Sequence, residues 1–165
     1  MKKENVILSC YSLLRRETPL SFDCGKICKS SCCNGDSNTG MLLFPGEENL
    51  IDKEITIKET ANGDKIAVCS GTCDRNKRPL SCRIYPLFPL IIEENGKESI
   101  KAVKDFRAVC PLVNGEYEYN KSFLRKLKRV GKFLMLNEET KAFYVSLCED
   151  YNEHIELLKL FQKNF

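Results

Sequence analysis

Clustered cysteines constrain this chain more than any other feature of its sequence. It has ten cysteines in 165 residues, and eight of them fall in short clusters whose spacing is typical of metal ligands. These are Cys24-x-x-x-Cys28-x-x-x-Cys32-Cys33, Cys69-x-x-x-Cys73 followed by Cys82, and the single Cys110. Thiolates at such spacings can converge on a soft cation and supply folding energy that a small core lacks. We therefore expect these eight residues to form the ligand pool for zinc or an iron–sulfur cluster.

The spacing within the first cluster limits how its thiols can be shared. On a straight helix Cys24 and Cys32 would lie about 12 Å apart along the axis, whereas sulfurs bound to one zinc ion lie within roughly 4 Å of each other. Either the chain turns sharply, as Gly25 permits, or more than one metal is bound. Because neighbouring side chains diverge, the vicinal pair Cys32-Cys33 indicates either two metals, one for each thiol, or one thiol that binds metal and one that packs. The eight cysteines also divide into two groups of four.

Charge and hydropathy narrow the partners and the compartment. With 26 Lys and Arg against 23 Asp and Glu, the net charge of +3 gives no reason to expect a nucleic-acid partner. No segment approaches the ~20 apolar residues that cross a bilayer, so we expect no membrane partner. The start of the chain lacks the pattern of a cleaved signal peptide. We expect a cytoplasmic protein, where a reducing environment favours metal ligation over disulfides.

Hydrophobic periodicity and turn residues predict an α+β fold. We expect a helix over residues 4–16, and two hairpins that turn at Asn62-Gly63 and Asn95-Gly96. The segment from Arg75 to Pro89 has no regular period and predicts a structured loop. Apolar residues recur at helical spacing from Lys121 and again from about Glu138, which predicts two helices joined as an antiparallel hairpin.

Together these elements predict a single domain over residues 1–165. A cysteine-rich module of loops and short hairpins (residues 20–115) packs against amphipathic helices from both ends of the chain, and residues 120–165 form the C-terminal helical hairpin. Cys10 and Cys148 fall on the apolar faces of predicted helices, and we expect both to be buried free thiols. Basic residues on the first C-terminal helix are expected to pair with acidic residues on the second.

Two segments resemble a known family. They are Phe22-Asp23-Cys24-Gly25-Lys26-Ile27-Cys28-Lys29-Ser30-Ser31-Cys32-Cys33 and Arg78-Pro79-Leu80-Ser81-Cys82-Arg83-Ile84-Tyr85-Pro86. They are similar to the signature and to the Arg-Pro-x-x-Cys-Arg-x-x-Pro block of the bacterial YkgJ-type (CxxCxxCC) cysteine-cluster family, with Cys69, Cys73 and Cys110 at its remaining cysteine positions. The spacings here are three residues where the family name implies two. The resemblance covers about residues 22–112 and implies a zinc- or iron-chelating protein. A related module occurs in the larger flagellin lysine-N-methylases.

The sequence leaves three functions open. The first is a metal-binding protein, in which Arg83 beside Cys82 donates hydrogen bonds to metal-bound sulfurs, whereas Arg78 pairs with a surface carboxylate. The second is an enzyme, an iron–sulfur redox or protein-methylating catalyst, although no base, nucleophile or cofactor loop stands out. The third is a module that docks a protein partner through its helical hairpin.

Overall fold

The structure, a computed structural model, describes residues 1–33, 39–53, 55–69, 71 and 74–162. The helices are α1 (Lys3–Leu14), α2 (Gly25–Cys28), α3 (Leu80–Ile84), α4 (Pro111–Asn114), α5 (Lys121–Leu134) and α6 (Glu138–Gln162). The strands are β1 (Met41–Leu42), β2 (Thr56–Glu59), β3 (Lys65–Val68), β4 (Leu87–Glu94) and β5 (Lys97–Lys104). Turns of 3₁₀ helix lie at Ser31–Cys33, Glu47–Asn49 and Arg75–Lys77. This mixture of helices with small antiparallel sheets confirms the predicted α+β class.

Both predicted hairpins form, and each turns at its Asn-Gly pair. Strands β2 and β3 pair antiparallel, and β1 adds to the free edge of β3 to give the order β1-β3-β2. Strands β4 and β5 form a separate antiparallel ribbon. Asn95 and Gly96 both have positive φ (54° and 72°), the combination that a two-residue hairpin turn of type I′ requires. These hairpins were predictable because the turn chemistry is local.

The core lies where α1 and α5 pack together over the β4–β5 ribbon. Val6 and Ile7 of α1 and Leu127 of α5 are completely buried. Gly131 is needed at this contact, because a Cβ there would lie 2.6 Å from the hydroxyl of Tyr144 and 3.0 Å from the side chain of Ile100. The helices from both ends of the chain thus share one hydrophobic cluster with β4 and α3.

The prediction of a loop from Arg75 to Pro89 was wrong. The segment contains a 3₁₀ turn, then α3, and then the first residues of β4. A five-residue helix is too short to show a hydrophobic period, and Pro79 stands directly before its first residue, where a proline can precede a helix as well as interrupt a loop. This correction matters because α3 carries Cys82.

The expected pairing between α5 and α6 charges does not form among the described residues. Lys126 of α5 instead makes an ion pair with Glu17, which follows α1, at 2.6 Å. The reason is that α5 packs mainly on α1 and the β4–β5 ribbon. Within the described part of the chain, no helix combines the length and apolar composition needed to cross a bilayer.

Candidate metal centre

A small cleft of about 70 Å³ brings together cysteines from both ends of the cysteine-rich segment. Its walls include five of the predicted ligands: Cys24, Cys28, Cys32, Cys33 and Cys110. Cys24 stands directly before α2, and Cys28 is its last residue. Cys32 and Cys33 lie in the 3₁₀ turn, and Cys110 stands directly before α4. We call this site the small cleft. It depends on tertiary structure, because Cys110 is far in sequence from the other four cysteines.

A reversal of the chain after α2 places Cys32 and Cys33 back beside the helix. Lys29 and Ser30 both adopt the left-handed region, with φ of 53° and 57°, and the amide of Cys33 donates to the carbonyl of Ser30 at 2.8 Å. The sharp turn therefore lies at these residues, whereas we expected it at Gly25. Non-glycine residues in this region cost roughly 1–2 kcal/mol each, and such strain is concentrated at functional sites.

Gly25 has a different role in the same loop. A Cβ at this position would lie 2.6 Å from Oγ of Ser30, so glycine is needed for the chain to return closely over α2. Its amide donates to Oδ1 of Asp23 at 3.0 Å, which fixes the entry into the helix. The local backbone is thus organised around this cysteine loop.

A larger cavity of about 550 Å³ adjoins the small cleft and collects the remaining described ligands. Four cysteines line this cavity, which we call the large cavity: Cys32, Cys33, Cys69 and Cys82. Cys69 follows directly after β3, and Cys82 lies in the middle of α3. Cys32 and Cys33 both line both sites, and their Sγ atoms lie 4.0 Å apart. The wall of the large cavity also carries apolar side chains, among them Met41 and Val68.

Burial, together with repulsion from neighbouring thiolates, makes three of these thiols hard to ionise in the absence of a cation: Cys32, Cys33 and Cys110. Burial raises the pKa of Cys33 to about 12, with added repulsion from Cys32 and Cys69. Burial likewise raises the pKa of Cys32 and of Cys110, and repulsion from the charge of Cys28 raises both further. A bound metal cation reverses this balance, because it stabilises thiolates directly.

The two arginines of the cysteine block lie in different surroundings. The guanidinium of Arg83 donates to the carbonyls of Arg78 and Asn76, each at 2.7 Å, and stacks over the ring of Tyr11 at 4.0 Å. It therefore braces the loop before α3. Arg78 lines both the small cleft and the large cavity, and its charge lowers the pKa of Cys33 against the effect of burial.

A buried carboxylate supports α3, and no sequence pattern indicated it. Glu47 is completely buried and accepts hydrogen bonds from the hydroxyl of Tyr11 and from the amides of Phe44 and Leu80. Leu80 is the first residue of α3, so Glu47 satisfies an amide at the start of the helix that carries Cys82. A single acidic residue in an irregular segment has no periodicity from which its burial could be read.

Three cysteines lie outside the two sites or outside the described residues. Cys73 lies outside the described residues. Cys10 and Cys148 are buried in the core, away from both sites. Across the described ranges, no three His, Cys, Asp or Glu side chains converge closely enough as placed to hold one metal ion. The donor set nevertheless suits a soft metal, because the two sites together carry thiols from four separate segments.

Comparison of the chain with protein-family models, with curated proteins and with solved structures gives no match.

Proposed function

We propose that this chain is a cytoplasmic metal-binding protein that holds zinc or an iron–sulfur cluster through cysteine thiolates. One observation carries the proposal: four segments, far apart in sequence, bring seven cysteines to two adjoining sites. The two core cysteines are kept apart from them. Random placement of free thiols would not separate the clustered residues from the isolated ones in this way. The resemblance to the YkgJ-type family is part of the same proposal.

The residues around the sites support metal binding in distinct ways. A thiol-bound metal supplies cross-linking between segments that a small core cannot replace. Arg78 is placed to offset the negative charge of thiolates in both sites, as positive groups around metal ligands commonly do. The strained turn at Lys29 and Ser30 holds the vicinal cysteines toward the small cleft. The free energy of metal binding would offset the strain of these two left-handed residues.

One observation favours an enzyme as the second candidate. The large cavity, at about 550 Å³, lies within the range of small-molecule sites, and four thiols are in its wall. A small substrate could therefore sit beside a metal or cluster held there. The redox or protein-methylating alternative depends on this cavity, and a structural zinc protein would have no need for it.

Anaerobic purification followed by metal analysis and absorption spectroscopy tests the proposal. We expect stoichiometric zinc in a colourless protein, or iron and sulfide in a brown protein that absorbs near 400 nm. The brown protein would favour the redox alternative. Cys28→Ala and Cys82→Ala should lose metal and lower the melting temperature, because each removes a ligand.

The core cysteines provide matched controls. Cys10→Ala and Cys148→Ala should keep the full metal content and cost only about 1–2 kcal/mol for the small void. Wild-type protein that carries neither metal nor cluster, and that takes up neither on reconstitution, would contradict the proposal. Equal metal loss in all four variants would show that the cysteines are wrongly divided.

A further inference from the structure

The C-terminal half of α6 carries large apolar side chains on its exposed surface. Among the described side chains of this helix, Tyr151 is the last that is buried, although the helix continues to Gln162. Beyond it, three apolar side chains are more than half exposed: Leu157 (54%), Leu160 (58%) and Phe161 (64%). Within the described walls of the small cleft and the large cavity, none of the three is present. This end of α6 is therefore a surface distinct from the cysteine sites.

Helical geometry explains why these side chains do not join the core. At 3.6 residues per turn, successive side chains are rotated by about 100° around the helix axis. Tyr144, Cys148 and Tyr151 form the buried stripe of α6, whereas Leu157 and Phe161 fall on the opposite side of the helix. No rotation of α6 would bury both groups against the same core. Only a second surface can cover the exposed group.

The exposed side of α6 also carries negative charge. Asp150, Glu153, Leu157 and Phe161 follow one another at spacings of three, four and four residues, which places all four on one helix face. Both carboxylates are exposed, and neither takes part in an ion pair between described residues. A surface that covers this face must therefore offer cations as well as apolar contact.

Helix α5 of the same chain offers such a surface. Arg125, Lys128, Arg129 and Lys132 recur at helical spacing and are all exposed, and α5 contains no acidic residue. Leu136, which follows this helix, is 50% exposed. Among the described residues these four cations make no ion pair with α6 of their own chain, because α5 packs mainly on α1 and the β4–β5 ribbon. They can instead meet the α6 of a second copy.

We propose that the protein forms a weak symmetric dimer, in which the acidic and apolar face of α6 lies on the basic face of α5 of a second copy. A pairing of two α6 helices would either oppose their carboxylates or bury them against apolar side chains without a cation. Contact between α6 and α5 joins opposite charges, and a twofold axis makes this contact twice. The surface is small, so we expect a micromolar dissociation constant. Dilute protein is then monomeric, and its unfolding does not report this surface.

Sedimentation velocity of the full-length protein, from micromolar to near-millimolar concentration under reducing conditions, tests this interface. Wild type should shift from monomer to dimer, and added salt should weaken the dimer because exposed charge pairs are screened. The charge reversals Glu153→Lys and Arg129→Glu should each raise the dissociation constant roughly tenfold. An equal mixture of these two variants should associate more tightly than either variant alone, because both contacts of the mixed dimer again join opposite charges.

Apolar substitutions test the other half of the face. Leu157→Gln/Phe161→Gln should weaken the dimer by about tenfold or more, because apolar side chains at the centre of an interface carry much of its binding energy. Leu8→Gln provides the matched control, since Leu8 is an apolar residue of α1 with 48% exposure. It should leave dimerisation unchanged.

The outcomes distinguish this interface from other arrangements. Wild type that stays monomeric over the whole concentration range would overturn the proposal. A dimer that withstands Leu157→Gln/Phe161→Gln would place the association elsewhere on the molecule. A dimer that is lost in the α6 variants but is indifferent to Arg129→Glu would mean that α6 does not lie on α5. Metal content should equal that of wild type in every variant, so failure of this interface leaves the metal-binding function untouched.

Discussion

Glu47 offers the sharpest test of how the fold supports the cysteine sites. Glu47→Ala would leave three buried donors without an acceptor: the hydroxyl of Tyr11 and the amides of Phe44 and Leu80. An unsatisfied buried donor costs about 1–3 kcal/mol. Removal of the carboxylate also removes the cost of burying its charge, which offsets part of this loss. We therefore expect the free energy of unfolding to fall by about 3–5 kcal/mol, comparable to breaking a buried pair. That is a large share of the stability of a small domain, about 5–15 kcal/mol.

Urea unfolding followed by circular dichroism measures this loss, and the neighbouring residue provides the control. Glu48 is also acidic and adjacent, but its carboxylate is partly exposed and pairs with Lys65 on the surface at 2.8 Å. Glu48→Ala should therefore cost no more than about 1 kcal/mol. If the two variants lose similar stability with unchanged denaturant slope, the support that we assign to Glu47 is refuted.

The same carboxylate predicts a dependence of stability on pH. Burial raises the pKa of Glu47 above its ordinary value of 4.5, against the opposing effects of its hydrogen bonds. A raised pKa means that the folded state holds this proton more tightly than the unfolded state. The stability that Glu47 gains from holding the proton is therefore fully present below about pH 4.5 and is lost as pH rises through the folded-state pKa. Glu47→Gln should lack this decline, measured as the difference in free energy of unfolding from wild type between pH 4 and 8. A constant difference would contradict it.

Three further predictions concern the loop, the core and the surface. Lys29→Gly should stabilise metal-free protein by about 0.5–1 kcal/mol in urea unfolding, because glycine removes the left-handed penalty at the cost of chain entropy; a loss of stability would count against strain at this turn. Leu127→Ala, at a completely buried position, should cost about 2–5 kcal/mol, whereas Leu157→Ala, at 54% exposure, should change stability by less than about 0.5 kcal/mol; equal effects would contradict the core described here. The basic face of α5 should show no duplex DNA or RNA binding by fluorescence anisotropy near physiological salt, since few counterions would be released; sub-micromolar binding with a steep salt slope would refute this.

Local chemistry made much of the secondary structure predictable from the sequence. The turns at Asn62-Gly63 and Asn95-Gly96 depend on residues that tolerate positive φ, and α5 shows its apolar stripe directly. The positions of Cys10 and Cys148 on apolar helix faces indicated their burial for the same reason. The α+β class follows from the sum of these local signals.

Tertiary structure alone decided which cysteines meet and what supports them. The left-handed turn at Lys29 and Ser30 contains no glycine, so the sequence did not predict it. The surrounding structure holds these two residues at positive φ. Glu47 is buried only because Tyr11 and the start of α3 converge on it from distant segments. The entry of Cys110 into the small cleft likewise depends on packing between elements that local sequence does not record. Spacing therefore indicated the candidate ligands, whereas long-range packing decided which of them line the same site.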